Sequence, residues 1–238
     1  MQSIIIFLVL SILSSLLVTN FCSLTIKKNA NNFLVRDYIQ NFSIKNIDYK
    51  LVIIFLILFK VIIKSCDLIS IITAMPCIIA LILAFILDIK FMIIPDTSSI
   101  LIIISAIFNI FINYNKTLLI NSLIGFLIGG LTLYIIDYIF KKITKNDGFG
   151  YGDMKLLASI GLYLGYKSII VIMILSIVIS GIFSIIYLIL KKIKKIKDAY
   201  LPFGPFIVLS TLIVLVVPST QIISTYFYLM DILVNKFV

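Results

Sequence analysis

Two short stretches place carboxylates beside otherwise apolar sequence. The first runs from Asp88 to Asp96, and the second runs from Gly148 to Lys155 and contains Asp153. A charged side chain at the edge of a membrane segment is costly, so it usually serves a function. Two carboxylates that meet can share one proton, and one then acts as a general base while the other acts as a general acid. The chemistry that these stretches predict is therefore that of an aspartic-protease-like pair.

Composition indicates the kind of protein that must position this pair. The chain has 238 residues, 62% of them hydrophobic, and a mean hydropathy of +1.25. Long apolar stretches with no alternating pattern predict a polytopic α-helical membrane protein and not a barrel. The chain has no His, which excludes His-dependent triads and HExxH zinc sites. Its three cysteines form no CxxC pair, so we expect no metal site.

The predicted fold class is an all-α polytopic membrane protein with about eight transmembrane helices. We expect three parts: N-terminal spans with a short amphipathic cytoplasmic loop in residues 1–65, a catalytic membrane core in 66–218, and an apolar tail in 219–238. The amphipathic segment lies within residues 24–50. The spans are predicted at about residues 3–23, 50–64, 66–88, 98–113, 117–140, 152–166, 168–190 and 203–218, and a further apolar segment at about 221–235.

The net charge of +10 comes from lysines that are concentrated in loops. Alternating spans place the basic segments 24–50, 141–147 and 191–198 on one side, which the positive-inside rule assigns to the cytoplasm. Asp88 and Asp153 then end at the same depth on that side. Because the basic residues lie in short loops, we expect contact with membrane lipid and not with nucleic acid.

The local context of each acid suggests its role. Asp88 is predicted at a helix C-terminus, where the helix dipole is unfavourable for an anion, which favours a functional role. Asp153 follows Gly150 and Gly152, whose backbones allow close approach of another chain. Asp153 could equally cap the next helix, and the sequence leaves both roles open.

Three other charged residues have structural interpretations. After Pro95, either Asp96 or a neighbouring hydroxyl is predicted to cap the next helix, and the cap is preferred for Asp96 over a catalytic role. Asp137 is expected to pair with Lys141 one helical turn later, with a place in the lining of the site as the alternative. Lys155 is expected to extend to the membrane interface, with substrate contact as the alternative.

These motifs together resemble a known family. Asp88 with Pro95-Asp96, the later Gly150-Tyr-Gly-Asp-Met-Lys155, and Leu201-Pro-Phe-Gly-Pro205 occur in the order found in type IV prepilin peptidases, which are GxGD aspartic proteases. The resemblance extends over about residues 66–218. It implies that Asp88 and Asp153 are catalytic and that Gly150, Gly152, Lys155, Pro95 and Asp96 support the motif or the substrate.

The resemblance also implies substrates and a location. Members cleave a basic leader from prepilins or pseudopilins at the cytoplasmic face of the bacterial cytoplasmic membrane, with no cofactor for proteolysis. Many then methylate the new N-terminus with S-adenosylmethionine, and these usually carry a zinc-binding loop with two CxxC pairs. Residues 24–50 contain no Cys, so a zinc site is not expected and methylation is left open.

Two alternatives and one open question remain at this stage. A non-enzymatic carrier or scaffold could use intramembrane Asp residues to bind protons or cations, but its acids should lie near the bilayer midplane. Presenilin-type proteases use a Tyr-Asp motif and a Pro-Ala-Leu element, and neither is seen here. The sequence assigns no oligomeric state.

Overall fold

The computed structural model describes residues 68–145, 148–194 and 201–225, together with residue 228 and six helical residues between 12 and 19. The amphipathic segment 24–50, the predicted span 50–64 and most of the span 3–23 lie outside this described part. So do half of the basic segment 191–198 and most of the apolar segment 221–235.

Within the described part, the chain is helical and contains no strand, which confirms the all-α class; the predicted number of about eight spans stays a prediction. The helices overlap six of the predicted spans, with ends that differ by a few residues. They are α1 (Leu68–Phe91), α2 (Asp96–Ile112), α3 (Lys116–Thr144), α4 (Tyr151–Leu164), α5 (Tyr166–Lys194) and α6 (Gly204–Val216). A short helix, Ser219–Thr225, follows α6.

Three of the described helices, α1, α3 and α5, are long and apolar enough to cross a membrane. A fourth crossing is available if α6 and Ser219–Thr225, which are bent by 93° at their junction, count as one span. Helix α4 has only 14 residues, fewer than the ~20 that an untilted span needs. The segment predicted as a span at 152–166 is therefore a short helix enclosed by longer ones.

Helix α4 packs against four other helices of the described part. It contacts α2, α3, α5 and α6. Leu156, Leu157 and Ile160 on α4 are almost completely buried. On α3, a Cβ added at Gly129 would lie 2.5 Å from the carbonyl oxygen of Leu157. The small residues of α3 thus let the two backbones touch.

The outer faces of α3 and α5 have the opposite character. Large apolar side chains there are exposed, among them Leu127, Ile135, Ile177 and Ile185. A water-soluble protein rarely exposes so much apolar surface, whereas a bilayer solvates it. These faces therefore fit contact with lipid.

Candidate active site

Asp88 lies near the end of α1 and is only 5% exposed. Its carboxylate faces the first residue of α6, and the backbone N–H of Gly204 interacts with it. A Cβ built on Gly204 would lie 2.5 Å from Asp88 Oδ2. The C-terminal end of α1 disfavours an anion at Asp88, and the positive N-terminal end of α6 compensates for this. This resolves the unfavourable position that the sequence indicated for Asp88.

Asp153 is the third residue of α4, in its first turn. Gly150 is the N-cap residue, and its backbone N–H interacts with the Asp153 carboxylate. Asp153 is therefore not the N-cap residue itself. Its side chain instead reaches back to the backbone N–H of the N-cap residue, as the acid of a capping box does. This local contact does not use both carboxylate oxygens.

The two carboxylates lie close enough to interact. Burial and the negative charge of Asp88 raise the pKa of Asp153 to about 7, against the opposing N–H of Gly150. Asp88 Oδ2 and Asp153 Oδ1 are both buried and have no hydrogen-bond partner among the described residues. Buried polar atoms without partners are rare in proteins and call for an explanation. Two carboxylates that share one proton, with their free oxygens facing a reacting group, would explain these unpartnered atoms.

The link between α1 and α2 packs against the first turns of α4 and α6. A Cβ added to Gly152 would approach Ile94 Cβ to 3.0 Å, and one added to Gly204 would approach Ile94 Cδ1 to 2.9 Å. Met92 in the same link has a positive φ of 55°. A side chain at Gly152 would press against Ile94 Cβ, and one at Gly204 would press mainly against the Asp88 carboxylate, which explains part of the Gly-x-Gly and Pro-Phe-Gly-Pro motifs.

Asp96 and Lys155 form an ion pair that the sequence did not predict. Lys155 Nζ lies 2.8 Å from Asp96 Oδ1, and both side chains are more than half exposed. The predicted cap at Asp96 is wrong: Pro95 is the N-cap residue, Asp96 is the first residue of α2, and no side chain caps the helix. The pair lines a cavity of about 330 Å³ whose other walls are mainly apolar.

Asp137 has a larger role than the sequence suggested. It lies towards the end of α3 and is 7% exposed. Its Oδ1 accepts hydrogen bonds from the backbone N–H groups of Gly148 at 2.8 Å and Phe149 at 3.0 Å. Lys141, the predicted partner, also interacts electrostatically with this carboxylate. The rule that singled out Asp88, an acid near the C-terminal end of an apolar helix, would have identified Asp137 as well.

Metal-ligating side chains do not cluster in the described part of the chain, where no group of three or more Cys or Asp residues could hold an ion. The described site brings two carboxylates together with the N-termini of α4 and α6. Such a site can move protons and activate water.

Comparisons with known proteins agree with these motifs. Residues 75–185 match the model of the type IV leader peptidase family. That range includes Asp88, Asp96, Asp137 and Asp153, whereas the Leu201–Pro205 element lies beyond it. No solved structure matches this chain with statistical significance.

Three curated relatives illustrate the similarity, and each is named prepilin leader peptidase/N-methyltransferase. The Aeromonas salmonicida protein is 34% identical over 90 residues, which are 38% of this chain and 30% of the relative. The Pseudomonas aeruginosa protein is 33% identical over 106 residues, 44% of this chain and 36% of the relative. The Pectobacterium carotovorum protein is 30% identical over 127 residues, 51% of this chain and 43% of the relative.

The matched segments cover less than half the length of each of these relatives. The range that the family model matches, residues 75–185, contains both Asp88 and Asp153. Residues 75–185 of this chain are therefore similar to the type IV leader peptidase family.

Proposed function

We propose that this chain is a membrane aspartic endopeptidase that removes the leader from type IV prepilins or pseudopilins, with Asp88 and Asp153 as the catalytic pair. One observation carries the proposal: two buried carboxylates interact with each other, and each has an oxygen without a described partner. Both carboxylates lie in the family-matched segment.

The pair supplies both proton-transfer roles that peptide hydrolysis needs. The ionised carboxylate removes a proton from water, whose oxygen attacks the scissile carbonyl carbon, while the protonated carboxyl donates its proton to the carbonyl oxygen. The proton taken from water then passes to the leaving nitrogen as the C–N bond breaks, and the diol hydroxyl returns a proton to the pair. The raised pKa of Asp153 favours Asp153 as the protonated member near neutral pH.

The distribution of basic residues supports an assignment of the membrane face on which cleavage takes place. Lys90 at the end of α1 and Lys141 and Lys142 at the end of α3 lie at the same end of the bundle as the carboxylates. Basic residues are enriched at the cytoplasmic side of membrane proteins. We therefore place cleavage at the cytoplasmic face of the bacterial cytoplasmic membrane, where a leader that precedes an apolar helix would emerge.

Methylation of the new N-terminus is a separate question. The relatives are named for both activities, but they align with this chain over less than half of their length. Residues 24–50 lack the cysteines that a zinc-binding loop would need. We propose proteolysis without a cofactor, and S-adenosylmethionine as a cosubstrate only if the product carries a methyl group.

The test is a cleavage assay on membranes that contain the protein, with prepilins and pseudopilins from the same organism as substrates. Mass spectrometry of the product gives both the cleavage site and the presence of a methyl group. Cleavage at the leader junction supports the proposal. If no candidate substrate is cleaved by a well-inserted protein, the proposal fails and a non-enzymatic carrier becomes the better description.

A further inference from the structure

The segment before α4 joins both halves of the site. Gly148 and Phe149 precede Gly150, the N-cap residue whose N–H interacts with Asp153. The ring of Phe149 packs edge-on against Phe203, with 5.4 Å between their centroids. Phe203 in turn is the N-cap residue of α6, immediately before Gly204, which touches Asp88. A shift of this segment would therefore move the surroundings of both carboxylates.

Asp137 holds this segment from α3. Two backbone N–H groups donate to one of its oxygens, Oδ1, at 2.8 and 3.0 Å. Hydrogen bonds to an ionised acceptor are roughly twice as strong as those between neutral groups. Gly148 also has little room to move towards α3, since an added Cβ would lie 2.9 Å from a ring carbon of Phe140. The contacts to α3 thus select one conformation of a segment that contains two glycines.

We propose that Asp137 is a positioning residue, which fixes the backbone of Gly148 and Phe149 and thereby sets the separation of Asp153 from Asp88. The inference rests on the proposed peptidase function. It assigns Asp137 no direct contact with substrate. A purely structural role would lower the amount of folded protein but leave each folded molecule with normal activity.

Two substitutions separate these roles. Asp137→Ala removes the acceptor, and we expect kcat to fall by about 10²-fold, the effect that a 1 Å misplacement of a catalytic group can have. Asp137→Asn keeps an acceptor oxygen at the same place but without charge, so we expect a smaller loss, roughly threefold. In both variants KM should change little, because the inference assigns Asp137 no direct contact with substrate.

Hydrogen exchange gives a readout that does not depend on activity. The amides of Gly148 and Phe149 should exchange faster in Asp137→Ala than in the wild type, and to an intermediate degree in Asp137→Asn. Thr132→Val is the matched control, since Thr132 also lies on α3 but its hydroxyl bonds only within the helix, to the carbonyl of Ile128 at 2.6 Å. It should leave both kcat and the exchange of Gly148 and Phe149 unchanged.

The outcomes distinguish the inference from the proposed function. A well-folded Asp137→Ala protein with faster exchange and normal kcat would overturn the inference. If Asp137→Ala does not accumulate, Asp137→Asn decides: a reduced kcat supports positioning, and a normal kcat with faster exchange contradicts it. If Asp88→Asn and Asp153→Asn both retain cleavage, the proposed function itself has failed, whatever Asp137 does.

Discussion

Replacement of Gly204 by Ala tests the geometry around Asp88 with a single methyl group. Gly204 begins α6 with ordinary backbone angles, so alanine is conformationally acceptable there. The new Cβ would lie 2.5 Å from Asp88 Oδ2, whereas ordinary contacts begin at 3.4 Å. The second near neighbour, Ile94 Cδ1 at 2.9 Å, is the end of a flexible side chain and can turn away. The Asp88 carboxylate is therefore the group that must move.

The size of the effect follows from that distance. Relief of the contact requires a displacement of about 0.9 Å, and a misplacement near 1 Å can cost 10²-fold in rate. We expect Gly204→Ala to lower kcat by about 10²-fold in a prepilin cleavage assay, with little change in KM. The protein should still insert and accumulate, because the N–H of Gly204 remains in place to face Asp88.

Gly181→Ala on α5 is the matched control. A Cβ at Gly181 would meet nothing within 4 Å, so only helix propensity changes, in favour of alanine by up to about 1 kcal/mol. Its kcat should equal that of the wild type. A normal kcat in an equally abundant Gly204→Ala protein would refute the placement of Asp88 Oδ2 at the reacting centre. An equal loss in Gly181→Ala would show that the effect is not local to Asp88.

Two further predictions concern stability. Because the pKa of Asp153 is raised from 3.8 to about 7, the folded state keeps a proton that the unfolded chain releases, so the free energy of unfolding falls as the pH rises through this range. Asp153→Asn should therefore raise Tm in detergent at about pH 8 but not at about pH 4, and an equal gain at both would contradict the raised pKa. Gly125→Ala should lower the free energy of unfolding by about 1–3 kcal/mol, because the new Cβ would overlap the carbonyl oxygen of Gly161. A thermal melt beside Gly181→Ala checks this, and equal Tm values would show that α3 and α4 are less tightly packed than described.

Much of the fold could be predicted from hydrophobicity alone. Apolar length located six helices of the described part to within a few residues, because the bilayer sets the length of an element more strictly than a soluble core does. Apolar length did not, however, show that α2, α4 and α6 are shorter than an untilted span, and α4 is the clearest case. It is apolar like a span but ends at Gly165, where φ is +80°, and other helices surround it. Sequence hydrophobicity does not separate burial in protein from exposure to lipid.

The site was only partly predictable. The two carboxylates stood out because charge is rare in this chain, and the topology brought them to one end of the bundle. The partners of the charges were harder to predict, because Asp96 with Lys155 and Asp137 with Gly148 are contacts between different helices or with a loop. Local rules for caps and for residues one helical turn apart describe only neighbours in the chain. These rules therefore predicted a helix cap at Asp96, which is wrong, and for Asp137 they predicted Lys141 but not the hydrogen bonds from Gly148 and Phe149.

The measurement that tests the central claim most directly compares three acids in one experiment. Wild type, Asp88→Asn, Asp153→Asn and Asp96→Asn are brought to equal abundance in membranes, and the rate of prepilin cleavage is measured for each. The account predicts that the Asp88 and Asp153 variants lose cleavage. Asp96→Asn should retain most of it, because an exposed ion pair contributes only about 0–1 kcal/mol. Cleavage that survives in Asp88→Asn and is lost in Asp96→Asn would contradict the assignment of the catalytic pair.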